Sequence, residues 1–216
     1  MNKSIYSLVL SDEIVQEVDS LAYEMNTSRS NMINQILAEY FSYDTPEKRI
    51  KEVFDRMEKL LLGASGFQTV LQPSGSMYSI RSALSYKYNP SVRYSVELTS
   101  GDPNEIGELR VSVRSQNSSF ILLIMQFFKL WNRVENRYIG ETDAVYSDGR
   151  YLRKLRIPEG DRRDGREIGE AIAGYISALD RAMKYYFSHL TAAQYAVDGV
   201  ERIYAEYLHN ASVVLS

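Results

Sequence analysis

The sequence predicts an α+β protein in which a small N-terminal module precedes a larger mixed domain. Three observations predict it. The first 43 residues read as strand, helix, tight turn and helix. After residue 66 the apolar spacing changes to a period of two, which marks strands. From Gly165 onward it returns to helical spacing. The expected organisation is a module over 1–43, a connector helix over 44–65, and a domain over 66–216 holding an antiparallel meander and three longer helices.

Tyr6, Leu8 and Leu10 alternate with Lys3, Ile5, Ser7 and Val9, so a short strand is expected with two distinct faces. Ser11 is a good N-cap, and Asp12 and Glu13 suit the positive end of a first turn. Ile14, Val15, Val18, Leu21, Ala22 and Met25 then form a helical stripe, which Asn26 ends. Ser28 caps a second helix with the stripe Met32, Ile33, Ile36, Leu37, Tyr40 and Phe41. Thr45 and Pro46 start a third, whose apolar face is Val53, Phe54, Met57, Leu60 and Leu61.

Strands are expected at Phe67–Leu71, Met77–Tyr88, Val92–Thr99 and Leu109–Ser115, separated by QPSGS, YNPS and SGDPNEIGE. Ser118–Tyr138 reads as a helix, with strands as the alternative over Phe120–Phe128. Asp148-Gly149 reads as the turn of a hairpin over Val145–Tyr151. Helices over Gly165–His189 and Thr191–Val214 close the chain.

Strand, helix, turn and helix in 43 residues cannot bury their own apolar stripes. Pairing of the strand with its own copy across a two-fold axis solves this. Here the stretch SIYSLVLSDEIVQEVDSLAYEMNTSRSNMINQILAEYF resembles a ribbon-helix-helix domain of the MetJ/Arc/CopG superfamily. The resemblance rests on the alternating strand ending in Leu10-Ser11-Asp12-Glu13, on Leu21-Ala22 late in the first helix, on Ser28-Arg29-Ser30 after the turn, and on Met32-Ile33. It covers about one fifth of the chain.

The resemblance implies a homodimer, or a higher oligomer, that binds double-stranded DNA with its paired ribbon in the major groove. The residues it assigns to base edges are Lys3, Ile5, Ser7 and Val9. A phosphate clamp would be Ser28, Arg29 and Ser30, at a helix N-terminus. Tyr6, Leu8 and Leu10 would be core.

Two features depart from the superfamily's pattern. Only Lys3 and Ser7 of the base-facing set can hydrogen-bond to base edges. Residues 1–43 also carry two cations, Lys3 and Arg29, against six carboxylates, a net of −4. A basic segment elsewhere could supply phosphate contacts. The segment over 150–166 is net +4, with Arg150, Arg153, Lys154, Arg156, Arg162 and Arg163 as auxiliary candidates. It also reads as a solvated strand and loop. The meander's Arg81, Arg93, Arg110 and Arg114 read either as an anion-binding face or as the wet side of a sheet with cross-strand Glu–Arg pairs.

The 216-residue chain is 44% apolar, carries a net charge of −3 and has no cysteine, which excludes disulfides and thiolate metal sites. His189 and His209 fall on different expected helices, so a nickel-sensing cluster is excluded. No phosphate-binding glycine loop, GxSxG or HExxH occurs. Neither an enzyme, a cofactor nor a metal is expected. No signal-peptide pattern opens the chain. The most apolar run, from Phe120 toward Trp131, is broken by Gln126 and Lys129 and is too short to span a bilayer. A cytoplasmic protein without membrane contact is therefore expected.

The expected function is a DNA-binding transcriptional regulator whose C-terminal domain senses a ligand or oligomerises. The alternatives are a scaffold protein that keeps the head only to dimerise, an antitoxin, or a partition or relaxosome accessory protein. A protein partner or a small-molecule effector would bind the C-terminal domain.

Overall fold

The computed structural model describes residues 5–41, 45–63, 66–99, 104–158 and 163–216. The chain is mixed α and β and divides into two compact units, Met1–Lys48 and Arg49–Ser216.

In the first unit, helix α1 (Asp12–Glu24) is capped by Ser11, whose hydroxyl accepts from the Ile14 amide at 3.5 Å. Asn26 takes the left-handed conformation, φ +49°, and turns the chain into α2 (Arg29–Tyr40). The two helices share a small core of Val18, Ala22 and Met32, with Ile33 packed against it. So few buried side chains cannot hold a hairpin together unaided.

The expected N-terminal strand does not form, and the sheet begins only after three helices. A ladder needs a partner strand, and the strands further along the chain pair among themselves. Residues 5–11 carry no regular structure, so the structure of one chain holds no ribbon.

Helix α3 (Pro46–Gly63) buries Val53, Phe54, Met57 and Leu61. These side chains lie in the core of the second unit, so α3 from Arg49 onward is part of that unit's helical layer. Six strands follow: β1 (Phe67–Ser74), β2 (Met77–Ala83), β3 (Ser91–Leu98), β4 (Glu105–Val113), β5 (Ala144–Ser147) and β6 (Arg150–Arg156). They form one antiparallel sheet in the order β1-β2-β3-β4-β6-β5. Helix α4 (Ser118–Ile139) joins β4 to β5. Helices α5 (Gly165–Ser188) and α6 (Ala193–Asn210) close the fold.

Inward residues Tyr78, Ile80, Val92, Tyr94, Val96, Leu109, Val111, Tyr151 and Leu155 pack with α3–α6 in one core. The other face of the sheet carries the alternate, largely polar residues. Tyr94 crosses the layers, its hydroxyl donating to Asp180 of α5 at 2.9 Å. Asp180 also pairs with Lys184 at 2.7 Å.

Four strand boundaries differ from expectation by three residues or more: β1 runs on to Ser74, β6 runs on to Arg156, β2 stops early and β4 starts early. β2 stops at Ala83, because Tyr88 (φ +65°) and Asn89 (φ +44°) turn the chain before Pro90, and the Leu84 amide donates to the Pro90 carbonyl. β4 starts at Glu105, inside a stretch that reads as a turn, because its register shifts between Glu105 and Gly107 and hides the alternation.

Gly107 sits at that bulge with φ +152°, and a Cβ there would lie 2.1 Å from the Glu97 carbonyl oxygen. Both groups are backbone, so relief requires opening the β3–β4 ladder. Gly107→Ala is expected to cost about 3 kcal/mol from strain and overpacking. That lowers the melting temperature by roughly 6 to 12 °C. Thermal unfolding followed by circular dichroism checks this, and an unchanged midpoint would mean that the bulge is absent.

Candidate nucleic-acid interface

Of the residues assigned to base edges, Ile5, Ser7 and Val9 are exposed, and Lys3 lies outside the described residues. Tyr6, Leu8 and Leu10, assigned to the core, are exposed as well. In one chain both faces of the segment are open.

The clamp residues sit at the start of α2. Ser28 is its N-cap, and its hydroxyl accepts from the Asn31 amide at 3.3 Å. The Asn31 side chain donates to the Thr27 hydroxyl at 2.8 Å. The Ser30 carbonyl accepts from the Asn34 side chain at 3.0 Å.

Arg29 turns back on α1. Its Nε donates to Asp19 Oδ1 at 2.6 Å and its Nη2 to Oδ2, a two-pronged carboxylate pair. The hydrogen bonds that Arg29 donates hold the Asp19 carboxyl below the usual carboxylate range, and the same bonds raise the guanidinium. Arg29 is the only Lys or Arg in residues 5–41. A phosphate at the α2 N-terminus would have to compete with Asp19 for it.

The basic segment is not one patch. Arg150 is exposed on the open face of the sheet. Lys154 lies 3.4 Å from Glu105, while Arg156 lies 3.2 Å from Asp143 and 3.6 Å from Glu105. Arg163 bonds Glu167 at 2.9 Å, beside the Asp164 cap of α5. Arg162 lies outside the described residues.

Arg153 offers nothing to an outside anion, because it is fully buried. The period of two that exposes Arg150 and leaves Leu152 half-buried turns Tyr151, Arg153 and Leu155 inward. Arg153 meets Glu135 of α4, Nε to Oε1 at 3.1 Å, both at 0% exposure. Its Nη2 donates to the Leu215 carbonyl at 2.8 Å, and its guanidinium lies 4.8 Å from the Tyr175 ring centre. The Tyr151 hydroxyl donates to Glu135 Oε2 at 2.6 Å, and Trp131 Nε1 donates to the Tyr175 hydroxyl at 2.8 Å. Burial pushes the Glu135 carboxyl up, against the pull of the Arg153 guanidinium and the Tyr151 hydroxyl. These side chains are all buried, so their role is to fix β6 on α4 and α5.

Between α5 and α6 lies a cleft of about 310 Å³, with Gly174, Ser177 and Ala178 among its lining residues. Arg181 and Glu206 pair beside it at 2.8 Å, and Glu170 is bound by Arg56. Its charges are therefore already partnered within the chain.

Arg81, Arg93, Arg110 and Arg114 are exposed. Among the described residues no group of three or more His, Cys, Asp or Glu could hold a metal ion. No described helix is long and apolar enough to cross a membrane.

Sequence reasoning passed over Glu135 as one carboxylate among many. Its signal was its place on the α4 stripe with Phe128 and Trp131, where a charge has to be paired.

Neither a scan against protein-family models, nor a search of curated proteins, nor a search of solved structures found a match to this chain.

Proposed function

We propose that the chain is a homodimeric DNA-binding regulator that acts in the cytoplasm through residues 1–43. The observation that carries this reading is the exposed, apolar-rich segment 5–10, which pairs with nothing among the described residues of one chain. It runs into the capped α1–α2 hairpin with both faces open, Ile5 and Val9 fully exposed and Leu8 61% exposed. Two such segments pairing antiparallel would give a ribbon-helix-helix head. One face of the ribbon would meet the base edges with Ile5, Ser7 and Val9, and the other would close over the α1 and α2 stripes. Ser28, Arg29 and Ser30 would receive a phosphate.

The second unit would join dimers or bind an effector or a protein partner. Dimers joined into tetramers on adjacent half-sites would gain affinity through effective concentration. Gene repression, plasmid partition and relaxosome assembly would use the same head, as would an antitoxin.

The test is affinity selection of fragmented genomic DNA on the purified chain near physiological salt. An inverted or tandem repeat is the expected product, and recovery at the level of a protein-free control sinks the reading. Arg29→Ala is expected to weaken the selected site several-fold and to flatten the dependence of log K on log salt by about 1.

One observation favours a second reading, a scaffold protein that keeps the head only to dimerise. Asp19 already holds Arg29, and the module is net −4. Under that reading Arg29→Ala changes no function while the dimer persists.

A further inference from the structure

We propose that the open face of the second unit's sheet is a docking surface for a nucleic-acid phosphate backbone, separate from the N-terminal head. Pairing register carries the argument. Arg81 of β2 stands directly opposite Arg93 of β3, Arg93 opposite Ser112 of β4, and Ser112 opposite Arg150 of β6. Three arginines thus occupy one transverse row, all exposed, with no carboxylate at any position of it.

A wet antiparallel face ordinarily sets Glu against Arg across strands, because like charges directly opposite each other destabilise a sheet. This row does the reverse. Arg81 Nε donates to Gln68 at 3.2 Å, a neutral partner. Arg114, one residue beyond β4, continues the outward alternation and is exposed. Arg110, one row along, is taken by Glu108. Asp148, in the β5–β6 turn, is the nearest carboxylate in sequence to Arg150.

Acids gather at the other end of the same face. There Glu97 faces Glu108 across β3–β4, and Glu105 and Asp143 hold Lys154 and Arg156. Charge is therefore segregated along the strands, and among the described residues no carboxylate pairs with Arg81, Arg93 or Arg150 as Glu105 and Asp143 pair with the cations of the other end.

Adjacent strands lie about 4.8 Å apart, so the row from β2 to β6 spans roughly 14 Å. Guanidiniums spread over that length match a run of phosphates better than one small anion. Arginine also meets phosphate with two parallel donors.

The experiment uses the full chain, nonspecific duplex DNA and a salt titration. Wild type is compared with the triple variant Arg81→Ala, Arg93→Ala, Arg150→Ala and, separately, with Arg29→Ala for the head. The triple variant is expected to lose about 2 to 3 units of salt slope and at least roughly tenfold in affinity at low salt. Its melting temperature in low salt, without DNA, should hold or rise, since like-charge contacts are removed. A triple variant with wild-type affinity and slope overturns the proposal. So does competition by orthophosphate or pyrophosphate at concentrations matching the DNA phosphate, which would make the row a small-anion site. Loss of binding in Arg29→Ala alone, with the triple variant unaffected, assigns DNA to the head and overturns the sheet surface.

Discussion

Arg153→Ala will lower the melting temperature of the second unit by roughly 6 to 20 °C. The estimate follows from a cost of about 3 to 5 kcal/mol for breaking a buried ion pair from one side, at about 2 to 4 °C per kcal/mol for a unit of this size. Removing the guanidinium leaves Glu135 fully buried with only the neutral Tyr151 and Tyr175 hydroxyls to bond it. The Leu215 carbonyl loses its side-chain donor too. The site cannot dissipate the charge by flooding, because Trp131, Tyr151 and Tyr175 around it are fully buried.

The double variant Arg153→Met with Glu135→Leu separates charge from packing. It removes both ions and keeps most of the volume, so it should recover much of the loss, since replacing a buried pair by apolar groups is often neutral. The two single variants, Arg153→Met and Glu135→Leu, should sum to far more than the double, because the residues touch. Thermal melts of the four proteins decide it. An additive double variant would mean that the ions are not coupled. A cost under about 1 kcal/mol for Arg153→Ala would mean that Arg153 reaches water.

The same pair shows how much was legible in the sequence. RYLRKLR reads as a basic run when charges are counted, and counting placed Arg153 among the anion contacts. Read by period it says something else, since Tyr151 and Leu155 flank Arg153 at two residues' distance and must share its face. Glu135 falls on the apolar stripe of its helix in the same way. Two opposite charges on two buried faces have to find each other, and the periods alone pair them.

The starts of α1 and α2 were legible because caps are local: Ser11 and Ser28 each accept from a backbone amide three residues on. The last helix starts at Ala193 rather than Thr191 and has no side-chain cap to read. The start of β4 was not legible, because the bulge at Gly107 is set by the neighbouring strand and leaves no alternation to read. The row of Arg81, Arg93 and Arg150 was equally hidden. The three are distant in sequence, and only strand order and register align them.

For the N-terminal segment, a two-residue contrast carries the largest functional effect. Leu8→Ala is expected to break the homodimer, and Val9→Ala to leave it intact while weakening DNA binding. In one chain both side chains are exposed, Leu8 at 61% and Val9 at 101%. Truncating either should therefore leave a monomer's stability nearly unchanged. Only a partner copy makes them differ, because alternate residues of a strand point to opposite faces. Leu8 would be buried twice per dimer, once from each chain. Each burial is worth about 1.5 to 3 kcal/mol, so the pair loses roughly 3 to 6 kcal/mol and the dimer's Kd rises about 10² to 10⁴-fold. Sedimentation equilibrium at micromolar concentration would read this as a shift to monomer. Val9→Ala would sediment as wild type and lose an apolar contact to the base edges, such as a thymine methyl, which reduces affinity for the selected site by several-fold. Equal effects of the two variants on assembly would show that the segment has no inward and outward face, and a ribbon would then be excluded whatever the chain binds.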